Sequence, residues 1–106
     1  MLKLVIRSAA ITLALCFASS SVPAQTAAET FKSQCLPCHG ADGHGDSPIG
    51  KSLGVKPYNA PDVVKLSNAD LTAIIKNGKN KMPAFNGKLT DAQIKDLVAY
   101  IRTLQK

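Results

Sequence analysis

The sequence has few aromatic side chains and no tryptophan. Its 106 residues include only two tyrosines and three phenylalanines. A chain this short can bury only a small hydrophobic core, and such domains commonly depend on a disulfide, a metal or another aid to folding. Stretches of alternating apolar and polar residues, which predict β-strands, are also missing, as are internal repeats. These absences favour one small helical domain that needs stabilisation from outside its own core.

Acidic residues are scarce as well. Seven Asp and Glu stand against 13 Lys and Arg, a formal net charge of +6. The lysines are scattered singly, whereas nucleic-acid-binding chains cluster them and place aromatic residues between them, so we expect no nucleic-acid partner. Scattered positive charge instead favours encounters with an acidic protein surface.

The N-terminus has the pattern of a secretory signal peptide. Two basic residues precede an uncharged, mostly apolar run at 8–22, and Val22 and Ala24 are small residues at the positions that a signal peptidase recognises. The run has 15 residues, whereas a membrane anchor needs about 20. We therefore expect residues 1–24 to be cleaved. The domain at 25–106 would then be periplasmic or otherwise exported, with no stable membrane insertion.

Capping chemistry predicts where three helices begin. Three hydroxyl residues each precede an acidic or amide residue by three positions, which is the spacing of a capping box: Thr26 and Glu29, Ser67 and Asp70, Thr90 and Gln93. The predicted helices cover about 27–37, 68–77 and 91–104, and the last has apolar residues at helical spacing. A short helical turn is predicted near Pro61. The glycine-rich stretch 40–57 is predicted to be loop. The predicted fold is therefore all-α with long loops.

The stretch QCLPCHG, residues 34–40, carries the most specific signal. Cys35 and Cys38 are three apart and His39 follows directly; the third cysteine, Cys16, lies in the predicted signal peptide. A disulfide here would close only a short loop. A thioredoxin-like dithiol needs a strand and a parallel sheet around the motif. A zinc site needs four ligands. Besides the two cysteines it would require both histidines, His39, which directly follows Cys38, and His44. These three alternatives remain open but are disfavoured.

Covalent haem attachment accounts for every element of the motif. On a helix, Cys35 and Cys38 share a face, so both thiols can add to the two vinyl groups of one porphyrin. The residue that follows, His39, can bind the iron, and CxxCH is the usual attachment signal. Long loops in so small a domain are also explained if they wrap around a large apolar group.

Met82 is the candidate for a second ligand to the iron. The other methionine is Met1, and Met82 lies in a loop that follows Gly78 and is bounded by proline. A lone methionine is commonly a filler of the core, but this loop position beside a haem motif favours a ligand. His44 lies five residues after His39 and could hardly reach the opposite face, so we expect a solvated loop histidine.

These motifs together resemble the class I c-type cytochromes, the small single-haem electron carriers. CLPCHG is similar to their attachment motif, KMPAF to their methionine loop and DLVAYIRTL to their C-terminal helix. The resemblance covers essentially all of residues 25–106. It implies one covalently attached haem c, with thioether bonds at Cys35 and Cys38 and axial ligation of the iron by His39 and Met82.

The resemblance also implies contacts around the haem. Phe31 is expected to pack against Leu97 and Tyr100, where the first and last helices cross. Pro48 is the candidate to accept a hydrogen bond from the second nitrogen of the ligand histidine. Two apolar residues are expected near the haem, Ile49 and Leu53.

The function implied is one-electron transfer rather than enzyme catalysis, because an iron with both axial positions filled has no site for a substrate. A protein donor and a protein acceptor are expected as partners of a monomeric carrier. Lys79, Lys81 and Lys88 are candidates to dock on an acidic partner surface. Two alternatives stay open: a haem-based sensor or peroxidase-like protein in which Met82 is displaceable, and a zinc- or disulfide-stapled binding module.

Overall fold

The computed structural model describes residues 26–106 as six helices joined by loops. The helices are α1 (Ala27–Gln34), α2 (Leu36–His39), α3 (Pro48–Leu53), α4 (Pro61–Val64), α5 (Asn68–Asn77) and α6 (Asp91–Thr103). Across the described residues, β-structure is limited to two isolated bridges. In the same range, none of the helices has the length and apolar character needed to cross a bilayer. The predicted all-α fold with long loops is confirmed, and the predicted signal peptide lies outside the described residues.

The capping boxes define α5 and α6. Ser67 Oγ accepts the N–H of Asp70 while the Asp70 carboxylate accepts the N–H of Ser67, and Thr90 and Gln93 make the same pair of bonds. Helix α5 has the predicted bounds, and α6 ends one residue before the predicted 104. Local side-chain bonds to the free N–H groups of a first turn are sufficient to define these starts.

The first predicted helix, at 27–37, is wrong at its C-terminal end. Helix α1 ends at Gln34, and Cys35 joins it to the short helix α2 with a φ of −113°. Pro37 explains the break, because proline has no N–H to donate and its ring clashes with the preceding helical turn. Within α2, the same proline lies in the first turn, where a missing N–H costs nothing.

The prediction of loop for 40–57 is wrong over residues 48–53, which form α3. Ser47 caps this helix by accepting the N–H of Gly50 at 2.9 Å. Pro48 occupies the first turn, and Gly54 ends the helix in the left-handed conformation at φ 69°. Ser47 before Pro48, with Gly54 seven residues after the serine, is a start and stop signal in the sequence.

The core lies where α1 and α6 cross. The Phe31 and Tyr100 rings are 5.1 Å apart between centroids, and both Phe31 and Leu97 are only 1% exposed. The expected packing of Phe31 in the core with these two residues is confirmed. The remaining buried apolar residues of the cluster come from α5, α6 and the loops: Tyr58, Leu71, Ile75, Phe85, Ile94, Val98 and Ile101.

Arg102 fastens α6 to the segment between α4 and α5. Its guanidinium donates to the carbonyl oxygens of Val64 and Leu66 and to Oδ1 of Asn68. Hydrogen bonds from a charged donor are among the stronger ones in proteins. Leu66 lies on the wall of a cavity between the CxxCH segment and α5, so Arg102 holds that wall in place.

Candidate functional site

A cavity of about 540 Å³ opens between the CxxCH segment, helices α5 and α6 and the loop after α5. Its size is typical of a site for a small organic molecule or cofactor. The two long helices contribute five apolar residues to its lining: Leu71, Ile74, Ile75, Leu97 and Ile101. The cavity can therefore receive a large apolar group.

Both motif cysteines line this cavity as free thiols. The N–H groups of Cys38 and His39 donate to the carbonyl of Cys35 at 3.2 and 3.0 Å, so the motif forms a tight helical turn. Burial, followed by the nearby Cys38, raises the pKa of the Cys35 thiol to about 11. Reactive dithiols instead have lowered thiol pKa values, so the thioredoxin-like alternative loses support.

His39 brings a neutral imidazole to the same cavity. Burial lowers the pKa of His39 below its ordinary value, which favours the uncharged ring that binds metals. Its Nδ1 is buried without a hydrogen-bond partner, so the expected bond to the carbonyl of Pro48 is not made. The ring lies instead nearly parallel to that of Tyr58, with 4.7 Å between centroids.

Helix α3 packs closely on the CxxCH turn, although Pro48 does not bond to His39. The hydroxyl of Ser47 donates to the carbonyl of Pro37 at 2.8 Å. A Cβ on Gly50 would lie 2.2 Å from the carbonyl oxygen of Cys38, so only glycine permits this approach. The short helix α3, which the glycine-rich composition did not predict, therefore packs against the CxxCH turn and supports it.

Met82 reaches the cavity from a tight turn after α5. Lys79 and Met82 exchange two backbone hydrogen bonds, of 2.9 and 3.2 Å, and Asn80 takes a φ of 53° that asparagine tolerates better than most residues. The N–H of Phe85 then donates to the carbonyl of Ile75 at 3.0 Å, so the loop closes over the end of α5. Met82 is half-buried and packs against the core cluster.

The four predicted site residues thus converge on one cavity, although Met82 is far from the motif in sequence. Of the two apolar residues expected near the haem, Leu53 lines the cavity. Ile49 does not, since it is 53% exposed on the outer side of α3, and that expectation is wrong. His44 is exposed and paired with Asp42 at 2.9 Å, as expected for a solvated histidine. Because it does not line the cavity, the zinc alternative lacks its fourth ligand there.

Lysines lie at the edge of the cavity, but not all those predicted. Lys79 and Lys81 belong to its lining. Lys88 does not; its ammonium lies 5.9 Å from the centre of the Phe85 ring, in a cation–π contact. Lys56, which no sequence motif singled out, lines the cavity and pairs with Asp62.

These residues fit a covalently attached haem c. Two free thiols lie within one helical turn, and the neighbouring imidazole, whose pKa is lowered by burial, lines the same cavity. A thioether sulfur lines the same cavity, and the other walls are largely apolar. Imidazole and thioether are the ligand pair of electron-transfer haems, and thiols at CxxCH spacing are the attachment points.

Comparisons with known proteins agree with this fit. A protein-family model described as "Cytochrome C oxidase, cbb3-type, subunit III" matches residues 22–101. Cytochrome c6 of Bryopsis maxima is 33% identical over 79 residues, which cover 70% of this chain and 83% of that protein. The solved structure of the KustC0563 c-type cytochrome has a TM-score of 0.71 and 27% identity, and covers 77% of this chain and 100% of that one.

The chain therefore belongs to the c-type cytochrome family. It is a small cytochrome of class I, an electron carrier rather than an enzyme, with covalently bound haem c. A further relative is the cbb3-type cytochrome c oxidase subunit FixP of Azorhizobium caulinodans, 33% identical over 85 residues. These residues cover 76% of this chain but only 27% of that protein. The match thus concerns one part of FixP and indicates redox partners without naming them.

Proposed function

We propose that residues 25–106, released from a signal peptide at 1–24, form a periplasmic one-electron carrier. Cys35 and Cys38 hold the haem by thioether bonds, and His39 and Met82 are the axial ligands. The observation that carries the proposal is the position of Met82, which lines the same cavity as the CxxCH motif although α3, α4 and α5 separate them in sequence.

When bound, haem c supplies an iron that changes its charge by one electron. The residues around the iron determine its ligation and its reduction potential. His39 and Met82 would both bind the iron and would leave it no open position for a substrate. The thioether of Met82 and the apolar side chains of α5 and α6 both disfavour the extra positive charge of ferric iron, so they raise the reduction potential relative to a bis-histidine site. The proposed function is electron transfer at a positive potential.

The partners are a protein donor and a protein acceptor that dock at the cavity edge. Lys56, Lys79 and Lys81 are exposed there, and lysine ammonium groups attract an acidic surface and accelerate encounters. The carrier itself is proposed to be a monomer. Lys88 is also exposed but does not line the cavity, so it is a matched control for docking.

The proposal is tested on the protein purified from the periplasm of an expressing cell. Its mass is expected to equal residues 25–106 plus one haem, and the haem is expected to survive acid–acetone extraction. The ferrous spectrum should show a sharp α-band, and the ferric spectrum the weak far-red band of an iron–methionine bond. Haem that extracts, or zinc in its place, would contradict attachment; a retained leader would contradict processing.

Gly78 is expected to hold the methionine loop in place. It has a φ of 74°, and a Cβ there would lie 2.6 Å from the carbonyl oxygen of Met82. Gly78→Ala should displace the loop, weaken the far-red band and destabilise the protein by about 1–3 kcal/mol, because with a ψ of 170° the residue lies in a region of backbone angles that only glycine commonly adopts. Spectra and urea unfolding of the holoprotein measure both effects.

Gly87→Ala is the matched control for this prediction. Gly87 has a similar φ of 83°, but a Cβ there would meet nothing within 4 Å. The control should lose stability through the backbone alone and keep the full far-red band. If both variants weaken the band equally, contact between Gly78 and the Met82 loop is not the cause.

A further inference from the structure

The aromatic ring of Tyr58 lies flat against the imidazole of His39. The ring centroids are 4.7 Å apart and the planes differ by 18°, which is a stacked arrangement. Tyr58 is 7% exposed and lines the cavity beside the two motif cysteines. A stacked pair resists rotation of either ring, because turning one of them forces the planes to clash or to part.

Tyr58 is itself held on several sides. Its N–H donates to the carbonyl of Gly43 at 2.9 Å, and the Phe31 ring packs against it with 6.3 Å between centroids. The closest support is at Gly43, where a Cβ would lie only 2.3 Å from Cδ2 of the tyrosine ring. These contacts hold the tyrosine ring in the position in which it stacks on the imidazole.

The imidazole needs such a support. A histidine that binds a metal usually donates its second ring N–H to a carboxylate or a carbonyl, and that bond fixes the ring orientation. In this structure Nδ1 of His39 has no partner. Packing against Tyr58 is then the contact that limits rotation of the imidazole about its Cβ–Cγ bond.

We infer that Tyr58 is a positioning residue for His39, whose ring fixes the plane of the imidazole and thereby adjusts the electronic state of the bound iron. The inference rests on the proposed ligation by His39. A contact that orients a ligand ring can alter the properties of a metal without changing its ligands.

The experiment compares the ferric holoprotein with three variants by paramagnetic proton NMR and by potentiometry. Hyperfine-shifted resonances of the His39 ring and the haem methyl groups report the plane of the axial imidazole. Tyr58→Phe keeps the ring and should leave these shifts nearly unchanged. Tyr58→Leu removes the stack and should move them and the reduction potential. Gly43→Ala keeps the tyrosine but displaces its ring, and should move the same resonances.

Gly87→Ala provides the control for backbone strain, since its φ of 83° is close to the 76° of Gly43 and its Cβ would be free of contacts. The three control proteins, wild type, Tyr58→Phe and Gly87→Ala, define a spread of resonance positions. The inference is supported if Tyr58→Leu and Gly43→Ala shift the resonances beyond that spread. It is overturned if they stay within that spread. If Tyr58→Leu fails to retain haem, Gly43→Ala alone decides.

Failure of the proposed ligation would look different. Wild-type protein without hyperfine-shifted histidine resonances would show that His39 is not a ligand, and both proposals would be rejected. Wild-type resonances that are present, but indifferent to Tyr58 and Gly43, would reject only the positioning role.

Discussion

A chain carrying Cys35→Ala together with Cys38→Ala is expected to be largely unfolded. Both thiols are lost, so the haem cannot be attached, and the cavity that it fills remains. Leu66, Ile74 and Met82 line that cavity and are only half-buried without a cofactor, so their apolar surface stays in contact with water. Circular dichroism should show little helix, and heating should give no sharp transition.

The magnitude supports this expectation. Burying a leucine, isoleucine or methionine side chain is worth about 1.5–3 kcal/mol, so the apolar surface that the haem would cover on Leu66, Ile74 and Met82 represents a few kcal/mol. Small domains are stable by only about 5–15 kcal/mol in total. The wild-type chain produced without haem is the control, because it keeps both thiols and should be equally unfolded. A cooperative melt of the haem-free double variant would contradict the dependence on haem.

The helices that could be predicted from the sequence are those with local signals. The capping boxes at Ser67 and Thr90 involve side chains only three residues apart, so they work without knowledge of the fold. Helix α3 also had a local signal, Ser47 followed by Pro48, but the many glycines around it favoured a loop. The break at Cys35 is predictable from Pro37, because the effect of a proline on a helix is local.

The residues of the candidate site likewise fall into those that the local sequence predicts and those that it does not. Cys35, Cys38 and His39 are close together in the sequence, so the sequence alone indicates their joint role. Tyr58 is different, because its contact with His39 depends on the path of the intervening loop and on a glycine at 43 that leaves room for its ring. Arg102 likewise looks like an ordinary solvated helix residue until the folded chain brings the carbonyl of Leu66 to it.

Replacing Met82 with alanine is expected to open the iron while leaving the haem attached. Cys35, Cys38 and His39 are untouched, so the mass should still include one haem. Loss of the thioether should abolish the far-red ferric band and lower the reduction potential, because a sulfur ligand favours ferrous iron. The ferrous variant should bind CO, which a closed axial position excludes. Absorption spectra under CO and a redox titration measure these effects.

Lys81→Ala is the matched control for the turn, since it changes the neighbouring exposed residue and should keep the far-red band and the resistance to CO. The decisive measurement is CO binding by the ferrous wild-type protein. Met82 is half-buried in a turn that two hydrogen bonds to Lys79 hold closed, so ferrous wild type should resist CO at neutral pH. Rapid and tight CO binding by wild type would show that Met82 is displaced easily. A sensor or peroxidase-like function would then explain this site better than electron transfer.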